Sequence, residues 1–285
     1  KSGTIVDNIT NEDNGTYILD NLSLGTYTLT AAKINYINAT QLATLATENQ
    51  TVTANFILLS NTCSAGTISG TISDAVSGSA ISDVSLSVRS GLGVTSGSTT
   101  GTTATSAANG TYTLSSMSAG GYTVQVSING YITSFFNANV CGNLTNQNAS
   151  ISENLSSGSM RIILHWGAGS GLTIVDSHIT GPDNASGRFH IYYPANKRNF
   201  FYYTNDQTCS GCTSSQKSDN VTLDNDGQTA PGTETITIPT DSWRSGTYRY
   251  SAHDYTTAGS TGNASSTKFA ESGTTVKVYY NGIET

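Results

Sequence analysis

Asn109–Ile132 reads NGTYTLSSMSAGGYTVQVSINGYI, and Asn14–Ile37 reads NGTYILDNLSLGTYTLTAAKINYI. The two stretches align without a gap at an offset of 95 residues (109 − 14). Asn14, Gly15, Thr16, Tyr17 and Leu19 stand over Asn109, Gly110, Thr111, Tyr112 and Leu114, and Gly25, Tyr27 and Thr28 over Gly120, Tyr122 and Thr123. Asn-Gly favours a tight turn because both residues tolerate positive φ. Beyond that turn Tyr112 and Leu114 alternate with Thr, which gives the strand one apolar face. Ser118–Gly121 supplies the next turn, and Tyr122, Val124 and Val126 alternate on the returning strand. A strand pair with one apolar face needs a second sheet to cover it. A period near a hundred residues is the size of a whole sandwich domain rather than a solenoid turn.

Composition points the same way. Charged residues make up 11% of the 285, against about 25% in an average soluble domain. Ser, Thr, Gly and Asn fill the gap, which suits strands and turns with an uncharged polar surface. The 12 Lys and Arg are too scattered to release counterions from nucleic acid, so no nucleic-acid partner is expected. The longest mostly apolar run is the short Met160–Leu164, so no transmembrane segment is expected. Fifteen Tyr, seven Phe and two Trp weigh against a disordered Gly/Ser linker. No apolar leader follows Lys1, and the chain reads as processed or cut from something longer. The expected fold class is all-β, with tandem antiparallel β-sandwich domains.

Four cysteines, Cys63, Cys141, Cys209 and Cys212, read as two disulfides in an oxidising compartment. Cys209-x-x-Cys212 also has a redox reading and a structural-zinc reading. The first wants a following helix and the second wants another ligand pair, and neither pattern is present.

The pattern NGTY, then S-A-G-G-Y-T-V, then GY resembles the carboxypeptidase regulatory-like domain, a transthyretin-like sandwich family found as tandem modules in secreted and surface proteins. The usual opening strands of that family are similar to Gly66–Ile72 and Ala80–Val88. The resemblance implies a complete module over residues 63–157. It also implies that a Cys63–Cys141 bridge would staple the two ends of that module, with two free thiols as the alternative. Residues 1–62 then form an incomplete copy, because the opening strands of the module have no counterpart in residues 1–13. The lacking strands are expected either from a longer chain or from a neighbour by strand addition.

From about residue 158 the character changes. The segments Arg161-Ile162-x-Leu164-x-Trp166, Asp176-Ser177-His178-Ile179-x-Gly181-Pro182, Phe189-His190-x-Tyr192-Tyr193, Leu223-Asp224-x-Asp226, Glu234-Thr235-Ile236-Thr237-Ile238 and Gly246–Tyr255 resemble the secreted β-sandwich family DUF2135. The resemblance implies a third sandwich over 158–285 that lacks a final strand.

Chemistry-bearing groups gather in this third region, which holds all four His. A metal site is conceivable among Asp176, His178, His190 and His253. Asp224-x-Asp226-Gly227 with Glu234 downstream partly matches a Ca²⁺ loop without its full spacing, so Ca²⁺ is the candidate cation and no other cofactor is expected. No G-x-S-x-G, H-E-x-x-H or phosphate-loop motif occurs, and no catalytic residue is assigned. Tyr192, Tyr193, Tyr202 and Tyr203 are candidate ligand or interface aromatics. Asn8, Asn38, Asn143, Asn148, Asn184 and Asn263 lie in glycosylation sequons.

The reading that follows is a non-enzymatic structural subunit of an extracellular filament, sheath or cell-surface layer. Its partners would be copies of itself, joined by shared strands. An adhesin or carbohydrate-binding ectodomain recognising surface glycans is the alternative. The accessory region of a secreted hydrolase is a further one.

Overall fold

The structure is a computed structural model, and it describes residues 9–12, 14–168, 171–183, 187–193, 221–256 and 267–284. The elements in chain order begin with β1 (Gly25–Ala31) and β2 (Ala39–Leu45). There follow β3 (Gly66–Asp74), β4 (Ser85–Ser90), β5 (Thr103–Thr105), β6 (Thr111–Met117), β7 (Gly120–Ser127), β8 (Ser134–Val140) and β9 (Ala149–Ile151). The last group is β10 (Met160–Trp166), β11 (Val175–Pro182), β12 (Arg188–Ile191), β13 (Thr222–Asn225), β14 (Gly232–Ile238), β15 (Arg249–Asp254), the short α1 (Thr267–Glu271), β16 (Thr275–Tyr280) and β17 (Ile283–Glu284). The fold is all-β, as the alternation predicts. Among the described residues no helix is long and apolar enough to cross a membrane.

Two sheets, ordered β6-β3-β9 and β5-β4-β7-β8, face each other in the middle of the chain. Their inner faces close over Ile68, Ile72, Leu86, Val88, Leu114, Val124 and Val126, all fully buried. The predicted alternation of Tyr112 and Leu114 holds and then shifts. Ile68 pairs with Leu114 but Gly66 pairs with Met117, so β6 carries one extra residue. Ser116 takes φ 58° there, and the bulge turns Met117 rather than Ser116 into the core. Along the other edge of β3 runs segment 142–148, hydrogen-bonded through Leu144 N to Thr67 O at 2.7 Å and Gln147 N to Ser69 O at 3.0 Å. This approach requires Gly70, because a Cβ there would stand 2.2 Å from Gln147 O. Cys63 and Cys141 close the same end in a disulfide, with their Cα atoms 4.5 Å apart.

The geometry of this unit recurs 95 residues earlier. Asn109 Oδ1 accepts from Thr111 Oγ1 at 2.7 Å, and Asn14 Oδ1 from Thr16 Oγ1 at 2.7 Å. The Tyr122 hydroxyl donates to Ser118 O, and the Tyr27 hydroxyl to Ser23 O. β1 and β2 pair as β7 and β8 do. The difference lies in what covers them. Among the described residues β1 and β2 form a two-stranded sheet, and residues 16–20, the counterpart of β6, pair with no strand. Ile18 is 77% exposed and Leu24 54%.

The last region packs the five-stranded sheet β13-β14-β10-β16-β17 against the three-stranded sheet β12-β11-β15. β10 is central and buried on both faces, which explains its nearly continuous apolar run. Its inner residues Ile162, Leu164 and Trp166 join the core between the two sheets. Its outer residue Ile163 packs with Tyr279 against Ala75, Ile132 and Leu155 of the middle sandwich. Polar contacts rim that interface. Arg161 Nη1 donates to Ser152 Oγ at 2.8 Å, Lys277 Nζ to Ser134 Oγ and Phe135 O at 2.7 Å each, and the Ser150 and Thr233 hydroxyls lie 2.9 Å apart.

Candidate functional site

The outer face of sheet β12-β11-β15 gathers the His-bearing motifs. On β11, Val175 and Ile179 point into the core, so Asp176, His178 and Thr180 point the other way. Register then decides what they meet. Asp176 pairs with His253 on β15, and Thr180 pairs with His190 on β12. Continuing that register past β12 sets Tyr192 opposite His178. Its ring stacks on His178 at 5.1 Å and on His190 at 4.3 Å. His178 Nδ1 and His190 Nε2 are 3.0 Å apart, a hydrogen bond in which one ring donates.

Asp176, His178 and His253 can each present one donor atom with all three within 4.8 Å of one another. Among the described residues this is the one group of three or more His, Cys, Asp or Glu side chains that converges so closely. Asp176 is buried, His178 half-buried and His253 exposed. Burial, reinforced by the Asp226 charge and opposed by His253, pushes the Asp176 carboxyl up to about 6. Burial, with neighbouring His190 and His253, lowers His178 to about 4. Burial also lowers His190. Both rings are therefore neutral at neutral pH, the form that ligates metals.

The acidic positions of the partial Ca²⁺ pattern do not join this group. Asp224 accepts from the Thr222 and Thr237 hydroxyls across the β13–β14 pair, where a register shift falls between Leu223 and Asn225. Asp226 Oδ1 accepts from Gln228 Nε2 at 2.5 Å. Glu234 sits opposite Leu164 on the inner face, fully buried, and accepts from the Ser177 amide. Burial, only partly offset by that amide and reinforced by Asp176 and Asp226, raises Glu234 to about 9. In the structure Asp224, Asp226 and Glu234 each have the hydrogen-bond partners named above, and none belongs to the converging group of three. Spacing alone could not show this, because a period of two assigns a face but not a partner.

Other expected positions divide as follows. Asn143 Oδ1 and Asn148 Oδ1 accept from the Thr67 and Thr71 amides at 3.2 and 3.0 Å, tying segment 142–148 to β3. Asn38 is exposed just before β2. Tyr193 and Tyr255 are exposed, with ring centres 6.1 Å apart. Asn8, Asn184, Asn263, Tyr202, Tyr203, Cys209 and Cys212 lie outside the described residues.

A second feature lies at the opposite end of the chain. The uncovered face of β1 and β2, with residues 15–24 and 47–55, encloses an open groove of about 940 Å³. Tyr17, Leu19, Leu22, Leu29, Leu45 and Val52 line it. Tyr17 holds one wall by donating to Ala54 O at 2.5 Å.

Comparison with known proteins bears on the middle sandwich. Residues 67–150 match the carboxypeptidase regulatory-like domain, and this segment is such a domain. No curated protein matches the sequence. Among solved structures, the Bacillus anthracis TIE protein is similar at 16% identity with a TM-score of 0.26, over 66% of this chain and 38% of that one. The Streptococcal ancillary pilin is similar at 11% identity with a TM-score of 0.25, over 61% of this chain and 66% of that one. The chain thus spans 38% and 66% of the lengths of these two proteins.

Proposed function

We propose that this chain is a non-catalytic structural part of an extracellular surface protein that assembles by sharing strands between neighbouring copies. In this reading residues 1–62 supply the β1–β2 side of a first sandwich, 63–157 form a second and 158–285 a third of the DUF2135 kind. The observation that carries it is the groove over β1 and β2, where apolar side chains stand open in the half-sandwich. In the middle domain the corresponding face, on β7 and β8, is covered by Ile68 and Ile72 of β3. The occupant expected in the groove is therefore an extended segment with alternating apolar residues, which would also satisfy unpaired strand edges. The Cys63–Cys141 disulfide supports an oxidising compartment.

Negative-stain electron microscopy with light scattering on the purified chain tests this. Rods or oligomers are expected, and Leu19→Lys, which puts a charge into the groove, should disperse them. A wild-type chain that stays monomeric at high concentration and melts in one cooperative step would sink the assembly reading. The exposed Tyr193–Tyr255 pair favours a second reading, stacking on sugar rings. Glycan-array binding that disappears in Tyr193→Ala would support it.

A further inference from the structure

The geometry points to a divalent transition-metal site on the outer face of sheet β12-β11-β15, with Asp176, His178 and His253 as ligands and His190 as the residue that orients His178. Zinc is the ion it fits best. The argument is independent of how copies assemble.

Three features carry the assignment. The first is the donor set. One carboxylate and two imidazoles suit zinc, nickel or copper rather than Ca²⁺ or Mg²⁺, which prefer all-oxygen shells. The second is distance. Donor atoms about 2.0–2.1 Å from zinc stand about 3.3 Å apart at the tetrahedral angle. The three here already lie within 4.8 Å of one another, so a bound ion would draw them together by at most about 1.5 Å. The backbone fixes the approach, because Asp176 and His253 are direct cross-strand partners and His178 is two residues along the same face.

The third is the state of His178. Its Nδ1 is engaged by His190 Nε2 at 3.0 Å, which leaves Nε2 as its free donor. A metal-bound histidine commonly directs its other N–H to an acceptor that fixes the tautomer. In this assignment His190 Nε2 is that acceptor, and Tyr192 stacks on both rings, which are tilted 39° to one another. Three protein ligands leave a fourth position for water or a group from a partner.

The test uses the full chain, stripped with a chelator and dialysed against zinc chloride, with bound metal counted by mass spectrometry and affinity measured by calorimetry. One zinc per chain is expected. His253→Ala removes an exposed ligand, which spares the fold, and should weaken binding by at least about tenfold. His190→Ala should weaken it by about ten- to a hundredfold, and His190→Gln, which restores an acceptor, should recover part of the loss. Cobalt substitution separates this site from a cysteine site. A spectrum without a thiolate charge-transfer band supports the assignment, and a strong thiolate band overturns it in favour of Cys209 and Cys212. Absence of zinc binding, zinc binding unchanged in His253→Ala, or binding of calcium alone would each overturn it as well.

Discussion

Replacing both cysteines of the middle domain, Cys63→Ser with Cys141→Ser, isolates what the disulfide contributes. The bridge closes a loop with a sequence separation of 78. On the chain-entropy model a loop of that length restricts the unfolded state by about 15 cal/mol/K, or about 4.5 kcal/mol at 25 °C. The native state should change little. Gly142 N still donates to Ser64 O at 2.8 Å, Leu144 N to Thr67 O at 2.7 Å, and the Asn143 side chain still accepts from Thr67. The loss therefore acts through the unfolded chain, and the folded variant should keep its far-ultraviolet dichroism. Urea titration measures the difference. With a slope of about 2 kcal/mol/M, the midpoint should fall by about 2 M. Both tryptophans, Trp166 and Trp243, lie in the third region. Their emission follows that region, while dichroism follows the middle domain as well. A shift worth less than about 1 kcal/mol, or one confined to tryptophan emission, would refute the reasoning.

Other outcomes follow from the same structure. Gly70→Ala should destabilise the middle domain by about 3 kcal/mol or more in thermal melts, because its Cβ would press on the Gln147 carbonyl and the backbone must move. Tyr112→Phe should cost about 1–1.5 kcal/mol, since the buried hydroxyl donates to Gln147 O at 2.5 Å. Tyr17→Phe loses the equivalent bond to Ala54 O at an open groove and should cost less, so equal losses would argue against the difference in cover.

Glu234 sets a pH dependence. Its pKa is raised from 4.5 in the unfolded chain to about 9 in the fold, so folding favours the protonated form. The contribution of Glu234 to stability should be fullest below about pH 4.5 and fall as pH rises toward 9, by at most about 1.4 kcal/mol per unit. The window from pH 6.5 to 8.5 lies above the raised Asp176 and the lowered His178, at about 6 and 4. In that window, with chelator present, Glu234→Gln should flatten the slope. A wild-type stability constant across the window would contradict the burial argument.

Much of the architecture was legible in the residues. Asn-Gly and the alternation of Tyr112, Leu114, Tyr122, Val124 and Val126 give strands with an apolar face, because side chains on a strand alternate by geometry alone. The repeat at 95 residues identifies a unit of domain size, and the scarcity of charge identifies the surface. Period two also places Asp176 with His178, and His190 with Tyr192, on common faces before any fold is known. What the sequence could not supply is pairing between distant strands. Asp176 meets His253, 77 positions away (253 − 176), through the antiparallel register of β11 and β15. Glu234 and Asp224 look like metal ligands in spacing, yet Glu234 points into the core and Asp224 binds two threonine hydroxyls. The run Met160–Leu164 announces a buried strand, but its second buried face exists because Ala75, Ile132 and Leu155 of the preceding domain lie against Ile163. Faces are local properties of a chain, and so the sequence determines them. Contacts between faces depend on register and on docking across domains, and so only the tertiary structure decides them.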